Sequence, residues 1–188
     1  MRIGVISDTH GLLRPWAIEQ LAGADQIIHA GDIGGPEVIA ELRKLAPTTA
    51  IKGNVDRGAW AAEYRDTELL RLGGRWIYVL HNLQELALDP AASGIDVVVS
   101  GHSHQPKIAT IDGTLYLNPG SAGPRRFTLP IALATLELTS DALQPCIHEL
   151  TSATASESRS RLPAPATPAW PRRSADAPGR PGRSRSRR

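Results

Sequence analysis

The sequence predicts an α/β protein, a two-sheet β-sandwich flanked by helices, occupying residues 1–150. Three observations predict it. The first third alternates short β-rich runs with helical patterns, the remainder carries two hairpin signals, and polar clusters stand immediately after most of the predicted strands.

The run "RIGVIS" reads as a strand and leads into Asp8-Thr9-His10-Gly11, with a helical pattern from about Pro15 to Leu21. "QIIHA" is a second strand, running into Gly31-Asp32. Pro36 then suits the first turn of a helix reaching about Leu45, where a missing N–H costs nothing. "TTAIK" is a third strand and ends at Gly53-Asn54-Val55-Asp56. Strand, loop and helix in repetition favour parallel strands joined by helical crossovers.

The pattern then changes. "TELLRL" and "RWIYVL" flank Gly73-Gly74, and "KIATI" and "TLYLN" flank Asp112-Gly113, pairs suited to the positive φ of tight hairpin turns. "IDVVVS" lacks the alternation of a half-exposed strand and reads as covered on both faces. "IALATLEL" and "ALQPCIHEL" form a closing strand pair.

With 188 residues, 41% of them hydrophobic, the chain has material for one domain with a real core. No stretch approaches the roughly 18 to 20 apolar residues of a membrane span, and "MRIGVISDTHG" lacks the features of a signal peptide, so a cytoplasmic location is expected. The single cysteine, Cys146, excludes an internal disulfide framework and a thiolate cluster. A metal here needs imidazole and oxygen ligands, and Cys146 is expected to be a buried small apolar residue.

Charge is unevenly distributed. From Thr151 onward nine arginines against Glu157 and Asp176 give +7, whereas 12 basic and 17 acidic residues leave residues 1–150 at −5. Residues 151–188 are mostly Pro, Ala, Ser, Thr and Arg, too poor in large apolar groups to offset the entropy of ordering them, and a disordered tail is expected. Its arginines offer a contact to nucleic acid or acidic surfaces; a solvated tail without a dedicated partner is the simpler reading.

The polar clusters share a position at strand ends, where α/β sheets gather ligands. In order they are Asp8 and His10, Asp32, Asn54, His81 after "RWIYVL", and His102 and His104 after "IDVVVS". Imidazole nitrogen with carboxylate or amide oxygen suits Mn, Fe, Co, Ni or Zn. In an extended loop, His102 and His104 can point the same way with Ser103 pointing away, placing one histidine at each of two ions. Asp8 and His10 repeat that spacing, and a carboxylate such as Asp32 can bridge two ions roughly 3.5 to 4 Å apart.

The ordered set "DTH", "GD", "GNVD", a histidine after a strand, and "GHSH" resembles the calcineurin-like metallophosphoesterase superfamily over Met1 to about Leu150. Chain length and "NPGSAGPRR" are similar to its small bacterial and archaeal phosphodiesterase branch. The resemblance implies a four-layer sandwich and metal-dependent hydrolysis of phosphodiesters, with monoesters as a second substrate type. It assigns Asp8, His10 and His104 to one divalent ion, Asn54, His81 and His102 to the other, and Asp32 to both, with manganese the first expectation. Where the wider family has "GNH" followed by an acidic residue, this chain has Val55 and keeps Asp56, the candidate catalytic residue. After His81, where the family usually has glycine, stands Asn82, followed by a short helical pattern in "LQELALDP".

Singly, Asp8, Asp32 and Asn54 are ordinary turn residues. Their coincidence with four histidines at strand ends is what a two-ion site explains and separate turns do not. His29 and His148 fall outside the clusters, and both are read as core or surface residues. Two divalent ions, two carboxylates and a hydroxide held between the ions leave the centre near +1, attractive to an anionic phosphate, and Arg57 and Arg125 are candidate phosphate contacts. The same fold serves a retromer subunit as a protein-binding scaffold, which is the alternative to catalysis, with a nucleic-acid-associated role through the tail as a third reading.

Overall fold

The computed structural model describes residues 1–151, so the reading of the basic tail concerns residues that, beyond Thr151, lie outside the described ones. Among the described residues, ten strands form two five-stranded sheets. The first, in the order β10-β9-β1-β2-β3, contains β1 (Arg2–Ile6), β2 (Gln26–Ala30), β3 (Thr48–Ile51), β9 (Ala132–Leu138) and β10 (Leu143–Glu149). The second, in the order β4-β5-β6-β8-β7, contains β4 (Thr67–Leu72), β5 (Arg75–Leu80), β6 (Val97–Val99), β7 (Lys107–Ile111) and β8 (Thr114–Asn118).

The first three strands are parallel, Ile3 opposite Gln26 and Ile27 opposite Thr48. Their crossovers carry α1 (Pro15–Leu21) and α2 (Pro36–Arg43), each with proline in its first turn. Both predicted hairpins pair antiparallel, as do β9 and β10.

Two cores explain why the central strands read as continuous apolar runs. Ile3, Val5, Ile28, Ala30 and Ile51 meet Ile77, Val79, Val97, Val99, Leu115 and Leu117 between the sheets. On the opposite face of the first sheet, Ile6, Ile27 and Leu133 pack against Trp16, Ala17 and Leu21 of α1 and Val38, Ile39 and Leu42 of α2. Neighbours such as Ile27 and Ile28 serve different cores because strand side chains alternate. The outer face of the second sheet is covered more thinly: Leu80 and Val98 are capped by Leu86 and Ile95, in the segment that holds a single 3-10 turn, Leu83–Glu85. The short helical pattern after His81 thus resolves to that one turn.

One expectation is corrected. Cys146 is exposed rather than buried. It lies on β10, an edge strand, opposite Thr135 and on the same face as His148, toward the helical side of the first sheet but beyond the helices.

The parallel strands β1, β2, β3, β5 and β6 deliver their carboxyl ends to one edge of the sandwich, where main-chain bonds join the loops. Asp8 N–H donates to Gly31 O at 3.0 Å, and Gly101 N–H to His81 O at 3.0 Å.

Candidate metal centre

The structure brings the predicted residues together at this edge. Asp8, His10 and His104 form one group and Asp8, Asp32 and His81 another, each with one ligand-type atom per residue, all within 4.8 Å of one another. Asp8, Asp32, His81 and His104 are buried and make the floor; His10 is half-buried, while Asn54 and His102 are exposed and make the open side. His102 Nδ1 lies 3.1 Å from Asn54 Oδ1, and the His81 and His102 rings meet edge-on at 5.2 Å.

Backbone conformation aims these side chains. Asp8, His10, Asp32, His102 and His104 all have left-handed φ, between +47° and +66°, a region that non-glycine residues seldom occupy. Strain of this kind collects at functional sites. It also corrects the extended-loop expectation for His102 and His104: two left-handed residues curl the loop, and Asn118 holds the curl by donating from Nδ2 to Gly101 O at 2.7 Å and Ser103 Oγ at 3.1 Å. Glycines make room behind Asp32 and His81. A Cβ on Gly53 would collide with Asp32 Oδ1, and one on Gly31, at φ +92°, would stand 2.6 Å from His81 Nδ1.

The polar atoms fit cations. His81 Nδ1–H donates to Ala30 O at 2.7 Å, which fixes the ring and aims Nε2 into the site. There Nε2 stands 3.4 Å from Asp32 Oδ1 without hydrogen-bond alignment, buried and unsatisfied. Asp8 accepts the His102 N–H on Oδ2 at 3.1 Å, while its buried Oδ1 has no hydrogen-bond partner and lies 3.2 Å from His104 Nε2. Buried polar atoms are nearly always paired, and orphans that converge on one point are what a metal would satisfy.

Charge couples the floor. Burial opposes ionisation of Asp32, but the His81 imidazole, the Val55 N–H on Oδ1 at 3.1 Å and His10 outweigh it, holding the carboxyl below its usual range. Burial likewise disfavours charge on His81, yet Asp32, the Ala30 carbonyl and Asp8 push its pKa up. Burial, reinforced by Arg126 and His104, lowers His10 despite the opposing carboxylates.

Asp56 does not stand free for chemistry. Its carboxylate accepts three main-chain N–H groups, from Gly53 at 2.8 Å and Ile33 at 3.0 Å on Oδ2 and from Gly34 at 2.8 Å on Oδ1. The residue read from sequence as catalytic is a staple between the loops carrying Asp32 and Asn54. Arg125 and Arg57 are exposed, and Arg126, which the sequence reading passed over, brings Nη2 within 3.3 Å of His10 Nε2. "NPGSAGPRR" signalled an arginine here but not which of two exposed neighbours reaches His10. His29 is wholly buried at Thr9 rather than at the ligands, and His148 contacts Thr135 Oγ1 at 2.9 Å.

Residues 1–141 match the calcineurin-like phosphoesterase superfamily domain. The chain belongs to that superfamily. A probable metallophosphoesterase of Methanothermobacter thermautotrophicus is 35% identical over 142 residues, covering 69% of this chain and 82% of the relative. The solved structure of an archaeal phosphodiesterase is similar at 26% identity and a TM-score of 0.68, over 80% of this chain and all of that one. Zinc-complexed Vps29 of Entamoeba histolytica, at 20% identity and a TM-score of 0.62 over 79% of this chain and 99% of its own, shares the fold. As a member of this superfamily the chain is a phosphoric ester hydrolase, and divalent metal is the cofactor its family uses. Among the described residues no helix is long and apolar enough to cross a membrane.

Proposed function

We propose that the chain is a cytoplasmic phosphodiesterase, active also on monoesters, working at a centre for two divalent ions with manganese the preferred metal. Asp8, His10 and His104 hold one ion, Asn54, His81 and His102 the other, and Asp32 contributes to both. The observation that carries this reading is that Asp8 and His81, whose Oδ1 and Nε2 atoms are buried and unsatisfied, gather with Asp32 into one group with ligand-type atoms within 4.8 Å of one another. Support for the diester comes from the likeness to the archaeal phosphodiesterase.

When bound, such ions lower the pKa of water and neutralise charge developing on phosphoryl oxygens. The protein's own part is orientation. Ala30 O fixes the His81 tautomer, Asp56 holds the loops of Asp32 and Asn54 in register, and Arg126 stands where its guanidinium can pair with a phosphate oxygen. The domain is proposed to be residues 1–150: Leu150 N–H bonds Ile131 O at 2.8 Å and its side chain packs on the helical core.

A scaffold role shares this fold but does not account for the unsatisfied ligand atoms. Counting bound metal tests the proposal. Manganese titrated into stripped protein should saturate at two ions per chain, and saturation at one or none would contradict it.

A further inference from the structure

Two cavities open on either side of His102 and Asn82, and they differ in charge. The smaller, about 220 Å³, is walled by Lys52, Asn54, Asp66, His81 and Glu85. Its lysine is committed to Asp66 at 3.3 Å, so Glu85 leaves that wall negative. The larger, about 330 Å³, runs from His102 past Leu83, Gln84, Gln105, Lys107 and Tyr116. It has no carboxylate in its lining, and among the described residues the Lys107 ammonium has neither an ion pair nor a hydrogen bond.

The larger cavity is of a size that takes a small organic group, and its wall describes one. Tyr116, half-buried on β8, offers a ring for stacking, and the side-chain amides of Gln84 and Gln105 offer donors and acceptors to the edge of a heterocycle. Lys107, a cation without a counter-ion, offers a place for a second negative charge. The carboxylates across the His102 ridge turn such a charge away from the other side.

We propose that this cavity binds one ester arm of the substrate, and that the arm is a nucleotide: a base against Tyr116 and a further phosphate at Lys107. The inference rests on the reading of His81 and His102 as part of the centre that holds the scissile phosphate.

Three p-nitrophenyl esters test it on manganese-loaded protein: methyl p-nitrophenyl phosphate, the 5′-ester of thymidine monophosphate, and the 5′-ester of thymidine 3′,5′-bisphosphate. Catalytic efficiency should rise in that order. Lys107→Ala should remove a roughly tenfold advantage of the third over the second, the worth of one charge-assisted hydrogen bond, and leave the methyl ester unchanged. Tyr116→Leu, which keeps the apolar packing, should remove the advantage of the second over the first. Equal efficiency for all three esters, or a Lys107→Ala loss shared by all three, overturns the inference. Calorimetric binding of thymidine 3′,5′-bisphosphate separates the cavity from the chemistry. Roughly tenfold weaker binding by Lys107→Ala supports the cavity even in a protein that hydrolyses none of the esters, a result that would defeat the catalytic reading alone. Equal binding by both proteins overturns the cavity.

Discussion

His10 and His104, 94 positions apart, present their Nε2 atoms to each other at 3.4 Å with their rings stacked 5.3 Å apart. Asp8 Oδ1 joins them, 3.2 Å from His104 Nε2 and without a hydrogen bond of its own. Two imidazoles sharing one proton leave that oxygen unsatisfied, whereas a cation held by these three residues would satisfy them all.

Asp32, grouped with Asp8 and His81, lies 3.4 Å from His81 Nε2 and 3.9 Å from His10 Nε2 of the other group. Asp32→Asn should lower catalytic efficiency by more than the roughly 10- to 100-fold typical of an outer-shell change. Arg57→Ala, at an exposed position, should cost far less. Steady-state kinetics on metal-saturated proteins gives the ranking, and the reverse order would contradict the assignment.

Asp56 binds three main-chain amides and so positions two ligand loops. Asp56→Ala leaves those N–H groups without their carboxylate and should cost about 3 kcal/mol of stability. Manganese affinity should fall roughly 10- to 100-fold in parallel. Urea unfolding and metal titration measure the two effects; unchanged stability with lost turnover would restore Asp56 to a catalytic role.

Burial holds the pKa of His29 down to about 4, against an ordinary 6.5, despite the nearby Asp56 and Asp8 carboxylates. Its Nε2–H donates to Thr9 Oγ1, since the Thr9 proton is committed to Ile33 O at 2.8 Å. The unfolded chain therefore takes up a proton near pH 6.5 that the folded chain refuses until about 4. This contribution is fully present above pH 6.5 and is lost as pH falls toward 4, a change of roughly 3 kcal/mol. His29→Gln keeps a donor without the titration, and its stability should fall less steeply over that interval. Parallel slopes for the two proteins would refute the account.

Arg126 is the arginine that reaches His10. Arg126→Ala should raise KM for a diester roughly tenfold, the loss of one charge-assisted contact, with Arg126→Lys in between and Arg125→Ala near wild type. A larger effect from Arg125→Ala would reverse the assignment.

Much of this was legible in the sequence because strand periodicity and ligand type are local properties. "QIIHA" and "RWIYVL" are strands as read, and the polar residues that follow them do meet. What escaped depends on contacts between distant segments. The role of Asp56 is set by amides from Gly53, Ile33 and Gly34, two of them more than twenty positions away. The exposure of Cys146 follows from β10 being an edge strand, which its own residues do not state. That Arg126 rather than Arg125 reaches His10 is set by the path of a loop, next to a Phe127 with left-handed φ, which the local residue types do not state.

We propose that phosphodiester hydrolysis by this chain depends on metal held by Asp8, His10, Asp32, Asn54, His81, His102 and His104. The most direct test is the rate of bis(p-nitrophenyl) phosphate hydrolysis by metal-stripped protein before and after individual divalent ions are added back. Turnover should be negligible in the stripped protein and recover with manganese, or more weakly with nickel, cobalt or zinc. Undiminished turnover by protein verified free of metal would contradict it.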